Sequence, residues 1–296
     1  MPAKTGLTGQ AQITNTTVRE IDFVTRFTRN WNALIEVLGI VRPIAKEAGT
    51  VLKAGEAKVT LADGAVGEGE EIPYSQATYK ETKFEDLTLE KYVKAVSVEA
   101  VNKYGPAIAV EKTDDAFLNE LQSNVMTKFY TFLQSGTLTD KQKTLQMAIS
   151  MSIGRVKDKF KKLHRDCSEV VVFVNTLDVY EYLGSANITV QTANGVEYLK
   201  NFLGASTLIL SSEIPQGKVI ATPVENIVLY YIDPSTQFEK LGLVYTVEGE
   251  TNLLGFHVEG SYRTAVGEAY ALMGMKLWAE YLDGIAVVTV EKTIAA

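Results

Sequence analysis

The chain has 296 residues, 46% of them hydrophobic, a length at which a single core stops growing and which predicts two domains. Its formal charge of -7 argues against tight binding to nucleic acid, its single cysteine excludes an internal disulfide, and two histidines leave no cluster for a transition metal. No apolar run approaches the roughly 20 residues of a bilayer crossing, and the polar opening MPAKTGLTGQAQITNTT lacks a secretory core, which points to an intracellular origin.

In chain order, the first seventeen residues are Thr-, Gly-, Gln- and Asn-rich and predict a flexible or extended arm. Val24, Phe27, Trp31, Leu34 and Leu38 then recur every three or four positions, the stripe of an amphipathic helix that Gly39 closes. Residues 46–83 read as two extended arms around TLADGAVGEGEEIP, a long hairpin. LTLEKYVKAVSV alternates as a strand and leads into a short turn or helix ended by Gly105-Pro106. Asp114 and Asp115 suit the positive end of a helix dipole, and Phe117, Leu121, Val125, Phe129 and Phe132 or Leu133 follow along one face as far as Gly136. Leu145, Ile149, Ser152, Val156, Phe160 and Leu163 predict another helix, whose last turns carry Arg155, Lys157, Lys159, Lys161, Lys162 and Arg165.

Beyond it the pattern becomes short α/β alternation. EVVVFVN reads as a buried strand, TLDVYEYLG and VEYLKNFLG as short helices, and STLILSS, KVIAT and NIVLYYI as strands, together a second domain of about a hundred residues. The remainder reads as strands with one helical turn over residues 267–273, returning to the first domain to complete its sheet.

The residues that could carry chemistry are few. Gly64, Gly67 and Gly69 are in the wrong order for G-x-G-x-x-G, no Lys-Ser/Thr follows, and Glu68, Glu70 and Glu71 would repel a phosphate. The same acids have the wrong spacing for a calcium loop. Cys167 and His164 lie three residues apart without a third group to orient the imidazole, so an inert, partly buried thiol is the expectation. His257 reads as a core or interface residue, and the basic run of residues 155–165 as a solvated helix face, with contact to a nucleic acid or an acidic partner as its alternative. No nucleophile, metal set or cofactor loop is visible, although 36 acids leave room for a carboxylate-using enzyme.

The hairpin poses the larger question. Residues 45–83 hold no Phe or Trp and carry glycine at 49, 55, 64, 67 and 69, too little apolar area to offset an ordering cost of about 1–2 kcal/mol per residue. An isolated two-stranded ribbon is marginal in water, so a neighbouring subunit is expected to supply the missing surface, for the ribbon and for the leading arm alike.

Arm, helix, acidic-tipped hairpin, long helix, inserted α/β domain and returning strands together resemble the major capsid proteins of tailed bacteriophages, the Hong Kong 97-type fold, an architecture shared with encapsulin shells. VTLADGAVGEGEEIP is similar to the family's extended-loop tip. LEKYVKAVSVEAVNKYG followed by KTDDAFLNELQ resembles the peripheral strand and spine helix, FLGASTLILSSEIPQGKVIATPVENIVLYYID the axial domain, and AEYLDGIAVVTVE the family's finish.

The resemblance implies an α+β fold with an N-terminal arm and helix at 1–44, an extended β-hairpin loop at 45–84, a peripheral domain with the spine helix at 85–143 and 235–296, and an inserted axial α/β domain at 144–234. It implies a non-enzymatic subunit, without cofactor, that assembles in the bacterial host cytoplasm with itself into pentamers and hexamers of a virion shell. That shell encloses double-stranded DNA without sequence-specific binding and without a membrane. A separate scaffolding protein and a portal are the implied partners, since the arm is short. Lys53, Lys58, Val66, Glu68, Glu70, Glu71 and Ile72 are the candidate inter-subunit contacts, with non-covalent locking expected because no acceptor Asn or catalytic Glu is identified. The rival readings are an encapsulin-like compartment enclosing cargo protein and a carboxylate-using soluble enzyme.

Overall fold

Apolar residues at helical spacing build the first element, α1 (Gln10–Leu38), of this computed structural model. The structure describes residues 10–39, 43–184, 190–193, 196–234, 242–247 and 252–291, without the side chains of 10–17, 54–58 and 80–84. Phe23, Val24, Phe27, Trp31, Leu34 and Leu38 are all buried, and Gly39 ends the helix at φ +73°. The predicted arm differs from what is found: residues 10–17 are helical, and residues 1–9 lie outside the described part. Once the downstream stripe is docked, each further turn adds hydrogen bonds without a new nucleation cost, so a polar segment of modest propensity continues the helix.

After β1 (Ile44–Ala45) come the hairpin strands β2 (Val51–Thr60) and β3 (Gln76–Asp86), then β4 (Glu90–Ser97), α2 (Val98–Tyr104) and a π-helical turn (Ala107–Lys112) that runs into α3 (Thr113–Leu133). β5 (Leu138–Gln142) and α4 (Leu145–Lys162) follow. Next are β6 (Val170–Val174), α5 (Thr176–Leu183), β7 (Gln191–Ala193), β8 (Val196–Phe202), β9 (Ala205–Leu210), β10 (Lys218–Pro223) and β11 (Ile227–Tyr231). The chain finishes through β12 (Leu254–Ser261), β13 (Val266–Met273), β14 (Met275–Ala279) and β15 (Ala286–Val290).

Among the described residues four sheets form, ordered β1-β11-β14, β5-β15-β10-β6-β9-β8-β7, β12-β13-β4 and β2-β3. The middle of the seven-stranded sheet is buried on both faces, which explains the unbroken VVVFV of β6. Val171 and Phe173 face one core with α1 and α3, while Val170, Val172 and Val174 face a second with α4 and α5. Ile220 of β10 and Val287 of β15 join the first core, their neighbours Val219, Ala221, Ala286 and Val288 the second. The inserted α/β unit and the long helix α3 therefore share a core.

Three sequence readings are corrected. VEYLKNFLG is the strand β8, hydrogen-bonded to β7 and β9, not a helix. Its residues pack on both sides, Val196 and Tyr198 against one core and Leu199 in the other, so period-two alternation is masked. Residues 267–273 form most of β13, paired on both sides with β12 and β4, which overrides the helix preference of Ala, Leu and Met. β15 does not complete the sheet of β4; it runs between β5 and β10 in the seven-stranded sheet.

Candidate assembly surface

The hairpin leaves the body at a small apolar root. Leu52 and Leu87 are buried there, backbone bonds between Thr50 and Leu87 and between Gly49 and Leu87 close the neck, and Lys276 of β14 pairs with Glu85. Among the described residues β2 and β3 pair only with each other, from Val51↔Asp86 to Thr60↔Gln76, with a bulge after Leu52. At about 3.3 Å per residue the paired strands extend about 30 Å. Every described side chain from Val59 to Tyr79 is exposed except that of Ala62, which is half-buried.

The tip is not extended chain but a closed loop of short turns. Ser75 Oγ accepts from the Ala62 N–H at 3.1 Å, and Asp63 Oδ1 accepts from the Ala65 N–H at 3.0 Å. Glu70 folds back on its own turn: its N–H donates to Gly67 O at 3.1 Å and its Oε2 accepts from the Gly67 N–H at 2.9 Å. Gly69 permits that turn with φ +86°. Of the sequence candidates, Val66, Glu68, Glu70, Glu71 and Ile72 thus lie together on this exposed tip. Lys53 is exposed near the root, opposite Lys83 in the ladder, and Lys58 lies in β2 with its side chain outside the described residues.

The leading helix behaves differently, held on its own body by two buried carboxylates. Asp114, at the start of α3, accepts from Arg19 Nε at 2.7 Å, Arg19 Nη2 at 2.8 Å and Lys94 Nζ at 2.5 Å. Burial acts to raise its pKa, but the bonds and charges of Arg19 and Lys94 prevail and hold the carboxyl below its usual range. Burial lowers Lys94 in spite of that partner, as fits a lysine that shares one carboxylate with an arginine. The second carboxylate, Glu20, accepts from the Val258 N–H at 2.6 Å and from Thr246 Oγ1 at 2.7 Å, and lies 3.3 Å from His257 Nδ1. The sequence reading missed Glu20, whose signal is a charge in helical register with Phe23, Val24 and Phe27, and took Asp114 only as a helix-start acid.

Burial, with Glu225 nearby, pushes the Cys167 thiol up, the opposite of an activated nucleophile. Two clefts stand out. One of about 780 Å³ lies between α1, α3 and the β8 edge, with Glu197 and Glu213 in its wall. The other, of about 910 Å³, lies beside the hairpin root, where Glu85 pairs with Lys276 and Glu90 with Lys128. No group of three metal-ligating side chains occurs among the described residues, and no helix among them is long and apolar enough to cross a membrane.

No family model matches the sequence, and no curated protein matches it. Solved structures do match in fold. The capsid asymmetric unit of cyanophage A-1(L) aligns over 86% of this chain and 92% of its own, with a TM-score of 0.56 and 11% identity. The capsid of cyanophage P-SCSP1u aligns over 85% and 87%, with a TM-score of 0.52 and 9% identity. The holo-SrpI encapsulin complex of Synechococcus elongatus PCC 7942 aligns over 87% and 88%, also with a TM-score of 0.52 and 13% identity. At identities this low the likeness is one of overall fold, which this chain shares with these phage capsid proteins and this encapsulin.

Proposed function

We propose that the chain is the structural subunit of an icosahedral phage capsid that encloses double-stranded DNA. The observation that carries this reading is the hairpin: a two-stranded ribbon with an exposed, acidic, internally braced tip and, among the described residues, no third strand. Such a ribbon gains burial on a neighbouring copy, and a subunit held by many neighbours tolerates each contact being weak. Glu68, Glu71, Val66 and Ile72 supply the charged and apolar parts of that contact, with Lys53 and Lys58 along the arm; Glu70 shapes the tip.

In this reading α3 is the spine of a peripheral domain and the inserted α/β unit is an axial domain gathered in pentamers and hexamers. The axial unit is then drawn around the seven-stranded sheet, including the strands of residues 138–142 and 286–290. A separate scaffolding protein and a portal complete the assembly in the host cytoplasm. The net charge of -7 suits a wall that must not grip the DNA it contains. The encapsulin-like compartment is the second reading, favoured by the equal likeness to the SrpI complex.

Electron microscopy of the purified protein at rising concentration tests both, with closed shells as the expected result and a persistent monomer or dimer overturning them. Nuclease-protected double-stranded DNA in particles from infected cells supports the capsid, and co-purified protein cargo without DNA the compartment. Glu68→Lys with Glu71→Lys, which leaves the Glu70 turn intact, is expected to reduce particle yield at least tenfold while leaving the subunit's thermal unfolding unchanged.

A further inference from the structure

The smaller cleft lies where an open α/β sheet places ligands, beyond the carboxyl ends of its parallel strands. β6 and β9 run parallel, and just past their ends the Ser211 N–H donates to Val174 O at 3.0 Å. Thr176 follows β6 there, Ser211 and Glu213 follow β9, and Glu197 of β8 pairs with Leu210, the last residue of β9. α1 and α3 form the opposite wall, joined by a hydrogen bond from Asn30 Nδ2 to Gln122 Oε1 at 3.4 Å. The volume of about 780 Å³ falls within the roughly 300–1,000 Å³ of small-molecule sites.

The lining selects the class of ligand. It carries two carboxylates, Glu197 and Glu213, the amides of Asn30, Asn119 and Gln122, several Ser, Thr and Tyr hydroxyls, and no Lys, Arg or His. Of the flanking cations, Arg26 is bound to Asp22 and Asp115 and Lys128 to Glu90, while Arg29 and Lys200 are exposed. Lys218 sits at the start of β10, two strands from β9 and outside the lining. An anionic ligand would therefore meet like charge in the wall without a counter-ion. Trp31, 1% exposed, lines the same cleft, and its indole N–H has no acceptor among the described residues. An ammonium only donates and leaves that N–H unmet, whereas a sugar hydroxyl both accepts and donates and so suits the indole, the amides and the carboxylates together. We propose that this cleft binds a neutral oligosaccharide, held by hydrogen bonds to Glu197, Glu213, Asn119 and Gln122.

The test uses the full-length chain. An array of neutral, sialylated and sulfated glycans is expected to show saturable binding to neutral glycans alone, and calorimetry with spermidine no binding in the cleft. In the Trp278→Phe variant, which keeps a ring on Phe132 and leaves Trp31 the only indole, the tightest neutral glycan of the array should change the Trp31 emission as it saturates. Glu197→Gln and Asn119→Ala should each weaken that binding at least fivefold. Ser123→Trp, which fills the cleft from an exposed position of α3, should abolish it with thermal unfolding unchanged. No binding to any neutral glycan, or binding untouched by all three substitutions, overturns the site. A preference for sulfated glycans, or spermidine binding that Glu197→Gln removes, overturns the ligand class. Each outcome can be read on the isolated subunit, so the failure of this site and the failure of the shell reading are separate results.

Discussion

Asp114 sits between two cations drawn from different elements, Arg19 of α1 and Lys94 of β4, and is 3% exposed. Removing its charge leaves both partners facing a pocket built for an anion. Asp114→Asn is therefore expected to cost about 2–4 kcal/mol near neutral pH, read by denaturant unfolding. The pH dependence has a definite sign. Because the folded carboxyl titrates below its unfolded value of 3.8, its contribution is complete above that pH and disappears as pH falls through the lower folded value. The parent should lose stability through this acid range more steeply than the Asn variant. A different residue-scale constraint holds at Gly136, where an added Cβ would lie 2.6 Å from Ile285 Cγ2 and 2.8 Å from the Ile285 carbonyl oxygen. Gly136→Ala should destabilise by about 1–3 kcal/mol, because a backbone atom cannot step aside as a flexible side chain does.

Among the elements, α1 and the hairpin are opposites. Phe23 stacks on Phe256 at 4.0 Å between ring centroids, and Phe27, Trp31 and Leu38 continue the buried stripe. Phe23→Ala should cost about 3–5 kcal/mol and expose α1 to limited proteolysis. The hairpin beyond its root should exchange its amide hydrogens fast in the isolated subunit and slowly in assembled particles; equal protection in both states would remove its role as a bridge.

Helix periodicity was legible wherever one face alone is buried, as in α1, α3 and α4, and the hairpin was legible from its alternation and glycines. β8 and β13 were not, because residues packed on both sides leave no period, and alanines in a central strand keep a helix-former's letters. The tip acids could be placed from the sequence, but the turn closed by Glu70 could not, since it depends on the loop's own backbone path.

For the whole molecule, the order of most elements along the chain was readable, and which sheet receives the last strand was not. Pairing between segments more than a hundred residues apart leaves no local trace. At this scale the acidic tip makes a further expectation: raising ionic strength from about 0.1 M to 1 M shortens the screening length from about 10 Å to about 3 Å. Particle yield, measured by sedimentation, should then fall, while a shell held only by apolar contacts would be indifferent or favoured.

β15 comes from residues 286–290 yet occupies an interior lane of the seven-stranded sheet, between β5 and β10. Loss of that strand would part β5 from β10 and bare two backbone edges in the middle of the sheet, where an open edge invites pairing with other chains.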